Sequence, residues 1–244
     1  MSEQSASMGM NRTGMDMAPI QGKLMAEGAS QSVPSSGGDR FTQDALKAPY
    51  VQEQMNIGSV PPPGSLKGIA TTAMNMLKGE KANVLIDKLG ARLAFERTGT
   101  RLYEALIAKA EVAAPSQTGP TVAELRILHD EELNHFHLLQ RHIRQLGADP
   151  TAMTPCADVV GVASTGLLQV VADPRTTVAQ SLEALLIAEL ADHDGWTSLI
   201  SLAEGFGQDE MANDFRQALR EEERHLAQVR AWLSADVKAE AGVA

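Results

Sequence analysis

Residues 125–139 read LRILHDEELNHFHLL, and residues 215–229 read FRQALREEERHLAQV. Each stretch holds a Glu-x-x-His motif, Glu132 to His135 and Glu222 to His225. A separation of three residues on a helix puts both side chains on one face, one turn apart, where they can hold one metal ion together. Apolar residues continue outward from both motifs at alternating spacings of three and four, the signature of a buried helical stripe. One stripe is Leu125, Leu128, Glu132, His135, Leu139, His142, Leu146. The other is Met211, Phe215, Ala218, Glu222, His225, Val229, Trp232.

Two further segments carry the same pattern. The stripe of one is Ile86, Leu89, Leu93, Glu96, Thr100, Tyr103, Ile107, and that of the other is Val178, Leu182, Leu185, Glu189, Asp192, Trp196, Leu199. All four stripes are apolar at both ends and ionisable in the middle. A lone carboxylate in such a core costs several kcal/mol or takes up a proton. Four converging carboxylates need positive charge, and no Lys or Arg stands on the central stripe positions. Two divalent cations would supply it. Four Glu and two His suit iron, manganese or zinc, and form the donor set of di-iron and di-manganese carboxylate bundles.

The four segments run from about Ala82 to Ala113, from Thr121 to Gly147, from Thr177 to Glu204 and from Gln208 to Val237. Thr121 with Glu124 predicts a capping box, and Gly147, Gly205 and Gly207 mark stops. About 30 residues, Ala148 to Thr176, separate the second segment from the third, enough for a crossover along the outside of a bundle. The predicted fold is therefore all-α: a four-helix bundle over residues 81–240, with a long crossover between helices 2 and 3. Residues 1–80 form a Met/Gly/Ser/Pro-rich extension, predicted to be poorly structured. It holds nine of the eleven methionines and the break Pro61-Pro62-Pro63-Gly64. Residues 66–79 are a candidate short helix.

Composition narrows the function classes. The chain of 244 residues is 43% hydrophobic but only 4% aromatic, which favours packed helices over a sheet sandwich. A net charge of -10 and a pI near 5.1 argue against nucleic acid or anionic membrane as partner. Cys156 is the only cysteine, which excludes a disulfide framework, a Cys-rich zinc site and a fused Fe–S module. Residues 1–17 lack the pattern of a secretory signal, and no uninterrupted apolar run approaches the length of a bilayer span. The expected location is the cytoplasm.

Glu96, Glu132, His135, Glu189, Glu222 and His225 resemble, in order and spacing, the motif of the ferritin-like superfamily, especially its rubrerythrin and bacterioferritin branches. The resemblance covers residues 82–238. It implies two iron ions between the helices, with manganese as an alternative, and reaction of the reduced site with oxygen or hydrogen peroxide. Rubrerythrins carry another carboxylate one turn after the third-helix Glu, and Asp192 stands there as a ligand or a neighbour of one. Without a rubredoxin domain, the electron donor would be a separate protein.

Among the remaining residues, Tyr103 is a candidate hydrogen-bond donor to a ligand carboxylate or a radical relay. His129 and His142 are expected to pack or face solvent, and Trp196 and Trp232 to cap the core above the site. His193 could orient Asp192 or simply be exposed, and Cys156 shows no sign of activation. Glu131, Glu221 and Glu223 are expected on a solvated face, and the small Gly99 and Thr100 could leave room for the apolar cavity that a hydroxylase, a minor alternative, would need. The expected function is a ferroxidase- or peroxidase-like oxidoreductase. The alternative is a non-catalytic metal-binding or structural stress protein acting through its bundle surface and N-terminal arm. A homodimer is the default assembly.

Overall fold

The computed structural model describes residues 19–32, 40–52, 58–60, 82–113 and 118–243. The chain divides into two units, Met1–Met55 and Asn56–Ala244. In the first unit lie helices α1 (Pro19–Gln31) and α2 (Arg40–Gln52). Ile20, Leu24, Met25, Leu46, Tyr50 and Val51 are all exposed on them. The candidate helix at 66–79, the proline break and Met74 and Met76 lie outside the described residues.

The second unit contains α3 (Ala82–Val112), α4 (Val122–Gln145), α5 (Pro155–Ala172), α6 (Val178–Gly205) and α7 (Asp209–Ala241). Helices α3 and α4 pack as one hairpin and α6 and α7 as another, with α3 against α6 and α4 against α7. The predicted capping box at Thr121 and Glu124 is present, and a second one joins Thr177 to Gln180. Gly147 and Gly207 take positive φ where the chain leaves α4 and α6. Every predicted stripe residue is buried except Ile107, Leu146 and Val178, which are partly so.

The crossover is itself helical. At about 1.5 Å per residue, the 18 residues of α5 span about 27 Å. The helix packs along α3 and against α6. Thr154 caps it, and its Cys156 amide donates to the Asp87 carboxylate at 2.8 Å. Ahead of it, the Ser59 amide donates to the Met153 carbonyl at 2.9 Å, and Val60 joins the core. By length and composition α5 would pass for a membrane span, with mean hydropathy 1.4. It is not an uninterrupted apolar run, since Asp158 and Gln169 stand within it. Gly161, Ser164, Thr165 and Gly166 interrupt α5, yet its average stays apolar. Only 17% of it is buried, and Val159 and Val162 face outward.

The bundle core is two clusters rather than one. Leu89, Leu93, Leu139, Ile143, Trp196 and Phe215 belong to the first. Leu102, Tyr103, Leu106, Leu125, Leu185 and Trp232 belong to the second. Trp196 and Trp232 thus stand in different clusters, where the sequence expectation put both above the site.

Candidate metal centre

Mid-length on the four bundle helices, the stripes deliver their ionisable groups to one place. Glu96 comes from α3, Glu132 and His135 from α4, Glu189 and Asp192 from α6, and Glu222 and His225 from α7. All are 2% exposed or less. Their ligand atoms fall into two groups of four, each within 4.8 Å: Glu96, Glu132, His135, Glu222, and Glu132, Glu189, Glu222, His225. Glu132 and Glu222 belong to both groups, so each is placed to bridge. Asp192 belongs to neither.

Asp192 instead meets a residue the sequence stripes passed over. Arg92, one turn before Glu96 on α3, is buried. Its Nε lies 2.9 Å from Glu96 Oε1 and its Nη1 3.1 Å from Asp192 Oδ1. Nη1 also donates to the Asp192 carbonyl at 3.2 Å, and the guanidinium lies 4.3 Å from the Phe95 ring centre. A Cβ at Gly195 would lie 2.2 Å from Arg92 Nη1, so glycine there makes the space. The site thus contains one fixed positive charge, where the stripes alone predict none. Five buried carboxylates against one guanidinium still leave four negative charges, which two divalent cations would match.

The histidines are held in a reciprocal pattern. His135 Nε2 lies 2.8 Å from Glu221 Oε2, and His225 Nε2 lies 2.7 Å from Glu131 Oε2. Each imidazole on one helix is thus tied to the carboxylate just before the bridging Glu on the other. This corrects the expectation that Glu131 and Glu221 face solvent away from the site. The repeat Glu-Glu-x-x-His in both motifs was the sequence signal for it. A carboxylate on Nε2 fixes the ring and leaves Nδ1 for a metal.

Those Nδ1 atoms are where the site is unfinished. His135 Nδ1, His225 Nδ1, both oxygens of Glu96 and Glu222, and one oxygen each of Glu132 and Glu189 are buried with no aligned hydrogen bond. His135 Nδ1 approaches Glu222 Oε1 to 2.7 Å, but distance without alignment leaves both atoms unsatisfied. Buried polar atoms are otherwise almost always partnered, so a convergent set of orphans fits an absent cation. The donor set of carboxylate oxygens and imidazole nitrogens fits a divalent transition metal.

Electrostatics without metal say the same. Burial, then the neighbouring carboxylates, push Glu96 and Glu189 well above the usual carboxylate range. Burial also raises Asp192, although Arg92 opposes it. For the imidazoles burial works downward, but carboxylate contacts outweigh it, lifting His135 to about 10 and His225 to about 12. Without metal, Glu96, Glu189, Asp192 and both imidazoles favour their protonated forms, and those protons stand in place of cations.

Other predicted residues find different places. Tyr103 donates from its hydroxyl to Glu189 Oε1 at 2.5 Å, leaving Oε2 among the orphans. Burial, then the Glu189 charge, keep its phenol protonated. A Cβ at Gly99 would lie 2.2 Å from Glu132 Oε2. The room that Gly99 could leave for a cavity is occupied by the Glu132 carboxylate. His142 is buried on Phe215 and bonded to Asp214, and His129 pairs with Asp130 and Glu104.

A family model described as a ferritin-like domain matches residues 120–237, from the start of α4 through most of α7. Residues 120–237 belong to the ferritin-like superfamily. The matched residues of this ferritin-like domain include Glu132, His135, Glu189, Glu222 and His225. Glu96 and Arg92 on α3 lie before the match, so their part in the centre rests on the bundle geometry. No curated protein and no solved structure gives a significant match.

Proposed function

We infer that this ferritin-like protein is an oxidoreductase of ferroxidase or peroxidase type, with two iron ions (or manganese) as its resident cofactor. One observation carries the reading: two four-residue ligand groups that share Glu132 and Glu222. When bound, the ions would supply the electrons for reducing oxygen or hydrogen peroxide. The chain's own part is to bind and hold. Glu132 and Glu222 would bridge, Glu96 with His135 would complete one side, and Glu189 with His225 the other. Glu131 and Glu221 keep both imidazoles turned with Nδ1 inward. Tyr103 fixes Glu189 through Oε1 and stays a donor because its phenol is held protonated. The apolar clusters at both ends of the site keep bulk water out. A separate electron donor, a cytoplasmic location and a homodimer belong to the same reading.

A second reading has support from α1 and α2. Their exposed Leu24, Met25, Leu46 and Tyr50 suit recruitment of a partner by a metal-binding protein without turnover. Elemental analysis after mild reconstitution is the first test, and about two Fe or Mn per chain is the expected result. The double variant Glu222→Ala with His225→Ala should lose at least one of them while remaining helical. Unchanged metal content would sink the ligand assignment. Steady peroxide consumption with a reductant separates the enzyme from the non-catalytic reading.

A further inference from the structure

A cavity of about 600 Å³ lies between α3, α5 and α6 and opens to solvent on one side. It falls in the range of small-molecule sites, about 300–1,000 Å³. Most of its wall is apolar, including Val84, Phe95, Val160, Leu167, Ile187 and Leu202. Two charged residues line it, Lys88 and Arg92, and both are cations. They stand four apart on α3, one above the other on the same face. Arg92 is buried, and with Nε toward Glu96 and Nη1 on Asp192, its Nη2 has no hydrogen-bond partner. A buried N–H of a charged group left unpaired is costly.

We propose that this cavity binds an amphipathic monocarboxylate of the fatty-acid type. The chain lies along the apolar wall, and the carboxylate is received by Lys88 and Arg92. Among the described residues the wall carries the Lys88 ammonium and no carboxylate, which favours an anionic head over a neutral or cationic one. The site is concave, with Arg92 among its lining residues, which suits a slender molecule better than the face of another helix. This site is distinct from the metal centre but touches it through Arg92, which contacts Glu96. The inference rests on the cavity and not on the proposed redox activity.

The test titrates the full-length protein, as purified, with dodecanoate by calorimetry, alongside dodecan-1-ol and dodecyltrimethylammonium. Saturable binding of dodecanoate is expected, with the alcohol about tenfold weaker for loss of the charge-assisted hydrogen bonds. The cationic amphiphile should not bind. Lys88→Gln, at an exposed position, should weaken dodecanoate while leaving the alcohol unchanged. Ala191→Trp, on the exposed part of the wall, should abolish binding with helicity and metal content intact. Absent dodecanoate binding, equal binding of all three amphiphiles, or binding untouched by Ala191→Trp would overturn the proposal. A dimer that Ala191→Trp splits would overturn it too, since the cavity would then be filled by a second copy of the chain.

Discussion

On one side of the metal centre Glu96 and His135 face Arg92 and Asp192; on the other Glu189 and His225 face Tyr103. The candidate ligands on the two sides repeat: a single Glu, a His held through Nε2, and the same two shared carboxylates. Their neighbours do not. A guanidinium 2.9 Å from Glu96 competes with a cation for that carboxylate. A neutral phenol on Glu189 Oε1 orients the group and leaves its charge to the metal. Similar ligand sets with opposite surroundings should give two unequal affinities, with the Glu189–His225 side filling first. Two-step binding in a Mn(II) titration followed by electron paramagnetic resonance would display this, and two indistinguishable sites would refute it.

The variant that should break both sides together is Gly99→Ala. Its Cβ would meet Glu132 Oε2 at 2.2 Å, and Glu132 serves both groups. Metal affinity should fall beyond the roughly hundredfold that follows loss of a supporting contact. Competition with a chelator measures it, and full occupancy at wild-type affinity would mean that Glu132 is not shared.

Acidity also acts on both sides. In the metal-free chain Glu96, Glu189 and Asp192 are raised, so protons on them favour the fold. That contribution is fully present below the unfolded values, near 4.5 and 3.8, and is lost as pH rises. His135 and His225 contribute below 6.5 and lose it as pH climbs through about 10 and about 12. Glu222, lowered to about 2 because its contacts with both histidines outweigh burial, runs the other way, losing its contribution as pH falls. The net expectation for the metal-free protein is a Tm that declines from about pH 5 to pH 9. Metal binding expels these protons, so affinity should strengthen by about tenfold per pH unit for each proton released. Calorimetry of both forms across that range would show the gap in Tm widening, and parallel curves would contradict the assignment.

Next in size are Glu131→Gln and Glu221→Gln, which separate the two sides. Glu131 supports His225, and Glu221 supports His135. Each should cost one side about ten- to a hundredfold in affinity and spare the other. If both variants weakened both sides alike, the crossed pairing of helices would be wrong.

Arg92, Glu131, Glu221 and Gly99 mark where the sequence could not be read. The helices and the buried Glu and His residues that converge were legible because burial leaves a three-four stripe, and a buried Glu or His interrupts it visibly. Arg92 was not, since it stands beside the stripe, where a charge normally faces water. What buries it, Asp192 and Gly195, comes from α6, about a hundred residues away. Glu131 and Glu221 were misplaced because position before a ligand points a side chain away on its own helix. Only the packing of α4 against α7 turns each toward the other helix's histidine. Gly99 gave no sign of which side chain would fill its space. The N-cap at Thr154 and the helix behind it were hidden because α5 is apolar without a clear period.

Tyr103→Phe should have the smallest effect and sharpens the comparison most. It removes one hydrogen bond from Glu189 and leaves the ring in its apolar cluster. A hydrogen bond to a carboxylate is worth about 1.5–3 kcal/mol, but the freed oxygen can turn to the metal and recover part of that. The affinity of the Glu189–His225 side should therefore fall less than tenfold, and the side next to Arg92 should not change. The gap between the two binding steps would then narrow. If it stayed the same, the inequality would come from the guanidinium alone, and the phenol would serve position rather than affinity.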